Sequence, residues 1–255
     1  MTRNAPEWFR LGEEAAAQVM SRVATSASSC QMSMQVQLAP KLAHWFMLDA
    51  LLLANRANRD GMHANALSLT RQCFESLSII ELGISGHKDA ESILLKWDRD
   101  DLTPGKLRAW LEQHVWPKYG VGLWTEPWST FMREFAAALQ PYAHYNSKLA
   151  QWQVRLLPGQ AGQDLTAPMT ALIEVRPRAY DPQKATRITL FHTILTYALG
   201  RIWIASNTDD ASFSALITRL GGALGKSPYL DGHETNWSQQ FWAMLWGSDG
   251  NTLLE

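Results

Sequence analysis

The chain has 255 residues, enough for one large domain with a sizeable core. Hydrophobic residues make up 46% and charged residues 18%, which excludes a disordered chain. The formal net charge of −1 excludes a global positive field, so any nucleic-acid binding needs a local basic patch.

Residues 5–29 read as a first helix that fades into the Ser-rich TSASS. Pro40 suits the first turn of a second helix, with Leu42, Trp45, Phe46, Leu48, Leu51 and Leu52 as its expected buried face. The NRANRDG stretch then favours a turn. Residues 64–84 carry the best-patterned helix. Leu69, Cys73, Leu77, Ile80 and Ile84 line a core-facing stripe, and Arg71 and Glu75 sit four apart, where side chains meet. Gly83 and Gly86 bracket its end. A short helix over 88–97 precedes a Thr103 N-cap with Pro104 at the first helical position, and Leu107, Trp110, Leu111 and Val115 continue that helix. Residues 127–140 form another, with Phe131, Phe135 and Leu139 inside. Tyr142, Tyr145, Leu149, Trp152 and Leu156 predict one further helix, whose other side holds His144 and Lys148. From Pro158 to Pro182 the pattern breaks into a loop with a short extended piece. A strong helix spans 183–207, with Ile188, Phe191, Leu195, Ala198, Leu199 and Ile202 inside. Two shorter helices, 211–223 and 233–246, complete the chain.

The expected fold is therefore all-α. A helical bundle over 1–207 has long central helices and a loop-rich insertion, and a small Trp-rich extension over 208–255 packs on it. The chain holds 12 Trp, and Trp237, Phe241, Trp242, Leu245 and Trp246 crowd the last helix. Such a surface must dock on the body or on a protein partner. Cys30 and Cys73 lack metal-ligand spacing, the seven His are scattered, and no metal or cofactor is expected. Glu7, Glu13 and Glu14 lie where a signal peptide needs an apolar run, and no apolar run reaches membrane length, so a cytoplasmic setting without a membrane partner is expected. GGALGKS at 221–227 has its first glycine one residue too close for a phosphate-binding loop and reads as helix-ending glycines.

Arg71, Phe74 and Glu75 in LTRQCFESL, with His144 in LQPYAHYN, resemble a group of bacterial helical proteins near the HEPN superfamily. The resemblance covers about residues 40–207. It implies a four- to five-helix core, a homodimer, and metal-independent action on RNA or a nucleotide, often in toxins or anti-phage defence. On that reading His144 is the general acid or base, Arg71 steadies a phosphoryl transition state, and Glu75 holds Arg71 or serves as second acid/base. Lys148, Arg176, Arg178 and Arg187 are the candidate nucleic-acid contacts. The usual superfamily spacing, Arg, then four to six residues, then His, has loose matches at Arg56 and His63, Arg108 and His114, and Arg187 and His192. None has a polar residue directly after the Arg. Two other functions fit the same residues: a non-catalytic interaction module with a Trp-rich surface, and a small-ligand sensor with an aromatic pocket between helices.

Overall fold

A helix buried on nearly all sides sits at the centre. It is α3 (His63–Ile84), with 17 of its 22 residues buried. The computed structural model describes residues 5–29, 32–33, 36–157, 172–175, 178, 180–207, 209–227 and 230. Among them the fold is all-α. Around α3 lie α1 (Glu7–Ser28), α2 (Ala39–Arg59), α4 (Ala90–Asp98), α5 (Pro104–His114), α6 (Trp128–Leu139), the single turn α7 (Ser147–Ala150), α8 (Pro182–Ser206) and α9 (Ala211–Gly225). The extended piece pairs as a two-stranded antiparallel ribbon, β1 (Val154–Leu157) with β2 (Leu172–Val175).

Helix α3 packs along α2 on one side and against α8 on another, while α1 lies across α8. α9 closes on α1 and α8. Its N-cap Asp210 accepts from Phe213 N at 3.0 Å and pairs with Arg22 of α1 at 2.6 Å, tying the extension to the bundle. α8 begins where Asp181 accepts from Gln183 N and Lys184 N and Pro182 fills the first turn. It is long and apolar enough to cross a membrane, but 72% of that window is enclosed by the fold, as expected of a central core helix. Thr103 caps α5 by accepting from Lys106 N, as its sequence predicts. The glycines at 221–225 lie within α9 and form no phosphate-binding loop. The helix expected over 233–246, with its five large apolar residues, lies outside the described residues.

Two expectations are corrected. The first concerns the orientation of α2. Its periodicity places Leu42, Trp45, Phe46 and Leu52 inside, yet they are exposed, and the buried face is His44, Met47, Ala50, Leu51, Ala54, Ala57 and Asn58. The cause is close approach to α3. A Cβ on Gly83 would come within 2.3 Å of the Pro40 ring, so the two helices meet over small residues that leave no room for the larger set. The second concerns residues 142–156, where no continuous helix forms. Single turns at 140–142 and 151–153 flank α7, and the chain then enters β1. Asn146 donates to Pro141 O at 2.7 Å and accepts from Leu149 N at 3.1 Å, which restarts the chain after a bend. The Lys184 ammonium donates to the carbonyls of Gln151 and Val154, two acceptors a continuing helix would have used.

Candidate functional site

Helix α3 places Arg71 and Glu75 on successive turns, and the expected pair forms. Arg71 Nη2 lies 2.9 Å from Glu75 Oε1 and donates to Gln140 Oε1 at 3.2 Å, just beyond the end of α6. Arg71 is 3% exposed, whereas the Glu75 side chain is 40% exposed. Phe74, three residues after Arg71, packs edge-on to Phe135 at 5.1 Å. A second arginine, Arg108 from α5, closes the cluster. The guanidinium of Arg71 is 5.7 Å from the Phe74 ring centre and that of Arg108 is 6.0 Å from it.

The Glu75 carboxylate pairs with Arg71 and also attracts the Arg108 guanidinium at longer range. Burial pulls the Arg71 pKa below its ordinary value; Glu75 opposes this and Arg108 adds to it. Arg108 is lowered by burial too, with Glu75 opposing. Arg71 Nε and Nη1 and Arg108 Nη1 are enclosed and have no hydrogen-bond partner among the described residues. An unmade hydrogen bond of this kind costs about 1–3 kcal/mol, and more for a charged group. Two hollows border the cluster. Arg108, Gln140, Arg133, Glu112, Trp116 and Met132 help line one of about 300 Å³. Glu75 helps line a second, apolar groove of about 680 Å³ between α2, α3, α4 and α5.

His144 does not lie on a helix as expected. It is exposed on the bend between the 140–142 turn and α7. Among the described residues no hydrogen bond or ion pair joins it to Arg71 or Glu75. The strand of chain leading to it is nevertheless fastened beside them. Gln140 accepts from Arg71, and the Tyr142 carbonyl accepts from Ser68 Oγ at 3.3 Å, one turn before Arg71.

The basic candidates are dispersed. Lys148 is exposed on α7, Arg178 is exposed with a left-handed backbone (φ 61°), and Arg187 is half-buried in the first turns of α8. Arg176 lies outside the described residues. Lys184, a neighbour in sequence, is buried, holding the carbonyls of Gln151 and Val154.

The histidines of the loose Arg-to-His spacings have partners of their own among the described residues. His192 Nδ1 contacts Asn55 Oδ1 at 2.8 Å and its Nε2 contacts Thr70 Oγ1 at 2.8 Å. His63 Nδ1 meets Asn58 Oδ1 at 2.9 Å and its Nε2 accepts from Asp181 N at 3.0 Å. Burial lowers both pKa values to about 4, so both rings are neutral struts between helices at pH 7. His114 stacks on Trp110 at the surface.

Sequence reasoning missed Arg108 as a partner of Arg71 and missed Glu81. Glu81 is fully enclosed, and its two oxygens accept from Trp116 Nε1 at 3.1 and 3.2 Å. Its only signal is a carboxylate on the apolar side of α3, ten residues after Arg71. Among the described residues no group of three or more His, Cys, Asp or Glu is placed to hold a metal ion. Compared with protein-family models, curated proteins and solved structures, the chain matches none.

Proposed function

We propose that this protein engages a phosphate of RNA or of a nucleotide with Arg71 and Arg108 and cleaves RNA without a metal ion, as a HEPN-like ribonuclease of the toxin or phage-defence kind would. The observation that carries the reading is the set of three enclosed guanidinium nitrogens without partners among the described residues, Arg71 Nε and Nη1 and Arg108 Nη1. Arginine stays charged when buried, and its planar fork matches phosphate oxygens. An anion that reached these nitrogens would satisfy the unmade bonds and balance the surplus positive charge left by a single Glu75. Cleavage requires a proton-transfer group, and His144 follows the segment anchored to Arg71 and Ser68. In that reaction the RNA 2′-hydroxyl attacks phosphorus and gives its proton to His144. The 5′-oxygen leaves and takes a proton from water, while the two arginines steady the extra negative charge.

Purified protein is tested with single-stranded RNA in EDTA, alongside Arg71→Ala, Arg108→Ala and His144→Ala. Both arginine variants lose RNA affinity. His144→Ala keeps affinity and loses cleavage by about 100-fold or more. Unchanged RNA affinity in Arg71→Ala and Arg108→Ala would refute the site. A second reading, a small-ligand sensor, is favoured by the 680 Å³ groove, whose walls include Phe46, Ile79, Trp97 and Leu107.

A further inference from the structure

The groove of about 680 Å³ between α2, α3, α4 and α5 has walls of two kinds. Phe46, Ile79, Trp97 and Leu107 make its apolar side, continued by Leu38 and Leu42, which are 55% and 52% exposed. Nothing in the core requires that surface, because α2 already buries its opposite face against α3. The ionisable side chains of the groove are both carboxylates. One is Glu75 of α3, and the other is Asp98, the last residue of α4. Among the described residues no Lys, Arg or His lines it.

We propose that this groove binds a hydrophobic amine, an ammonium group on an aliphatic or aryl body, and that Glu75 couples its occupancy to the phosphate site at Arg71 and Arg108. The coupling rests on the phosphate-binding reading of those arginines; the binding does not. Charge selects the ligand, since two carboxylates in the walls attract a cation and repel an anion. Glu75 is paired with Arg71 through Oε1, but a carboxylate accepts several donors and 40% of this side chain is exposed. Ser76, also in the wall, agrees with that choice. Its hydroxyl donates to the Cys73 carbonyl at 2.9 Å, so it offers the groove only lone pairs, and an ammonium brings only donors. Trp97 and Phe46 add aromatic walls of the kind that attracts ammonium groups. The volume lies within the roughly 300–1,000 Å³ of small-molecule sites, which favours a small amine over a helix or a second protein.

Glu75 belongs to both places. It lines the groove, its Oε1 lies 2.9 Å from Arg71 Nη2, and its charge reaches Arg108. An ammonium at Glu75 offsets the one negative charge these arginines feel from it, so their pull on a phosphate grows. Linkage makes the effect mutual: a phosphate at the arginines tightens the amine by the same factor. Asp98 is exposed at the end of a different helix, which lets binding and coupling be tested apart.

Isothermal titration calorimetry of the full chain with n-octylamine, 1-octanol and octanoate tests the binding without RNA. Octylamine binds, and octanoate binds at least about 10-fold more weakly. Asp98→Asn weakens octylamine about 5-fold and leaves octanol unchanged. Asp98→Lys reverses the order of octylamine and octanoate, which a folding defect would not do. Absence of octylamine binding, or octanoate binding as tightly, would overturn the groove assignment and leave the arginine site untouched. Affinity for single-stranded RNA is then measured with and without octylamine. Wild type gains about 10-fold, whereas Glu75→Gln and Asp98→Lys gain less than about 2-fold. Octylamine binding without any RNA affinity would support the groove site while refuting the phosphate reading and the coupling that rests on it. Both ligands binding with no effect on one another would overturn the coupling.

Discussion

Replacing Glu81 with Gln is expected to stabilise the protein as pH rises. Glu81 is 0% exposed, and burial pushes its pKa up to about 7 from an ordinary 4.5, with the contacts from Trp116, Tyr119 and Lys118 pulling the other way. In the unfolded chain the carboxyl loses its proton near 4.5. In the fold it holds that proton to about 7, so its contribution is fully present below 4.5 and is lost as pH rises through 7. Each tenfold change in proton affinity is worth about 1.4 kcal/mol, so above pH 7 the ionised group costs the fold about 3 kcal/mol. Gln keeps the shape and an acceptor for the Trp116 indole but does not titrate. Any packing difference between the side chains is the same at every pH, so the test is the change between two pH values. Urea unfolding of both proteins at pH 5 and pH 8 should show the Gln variant gaining about 2–3 kcal/mol on wild type across that interval. An equal difference at both pH values would refute the view that Glu81 holds its proton up to about pH 7.

Three other outcomes follow from the same polar interior. Arg71→Met should leave the thermal midpoint equal to wild type or higher while abolishing RNA affinity. It removes a buried charge with two unpartnered nitrogens, worth about 1–3 kcal/mol, and the Glu75 left behind is half-exposed and hydrated. His192→Ala should destabilise by about 2–4 kcal/mol in urea at pH 7, because Asn55 and Thr70 lose a partner and a cavity opens. Wild type should also weaken as pH falls from 6.5 towards 4. There the unfolded chain binds protons that His63 and His192, with pKa values near 4, refuse; Glu81 offsets part of this loss above pH 4.5.

The helices were legible where a local signal sufficed. Thr103 followed by Pro104 gave the start of α5, and the Phe131, Phe135 and Leu139 repeat gave the buried side of α6. What failed was the choice of face. Periodicity says that Leu42, Trp45 and Phe46 lie together but not which neighbour they meet, and here Ala50, Ala54, Ala57 and Gly83 decided it by letting α2 and α3 approach over small residues. The error over residues 142–156 has a related origin. Its apolar spacing suits a helix, but Pro141, the Asn146 bridge and a lysine thirty residues away redirect the backbone. For the site, the Arg71–Glu75 pair could be read because it is four residues apart on one helix. Arg108 and Gln140 could not, since each reaches Arg71 or Phe74 only through tertiary packing.

Glu81 and Arg71 lie ten residues apart on the same helix, and both are buried polar groups, yet they point to different roles. A carboxyl can escape the cost of burial by keeping its proton. Glu81 does so near pH 7, and its remaining acceptors are met by Trp116. A guanidinium has no such escape at any pH the fold survives. Arg71 has five donor hydrogens, and among the described residues a single carboxylate and a single amide serve only Nη2. Arg108 beside it increases the positive charge instead of relieving it. The buried carboxyl is therefore self-sufficient architecture, while the group whose charge cannot change is left needing acceptors. An anion from outside the chain would supply them, and this is why the proposed phosphate site is placed at Arg71 and Arg108 and not at the buried acid.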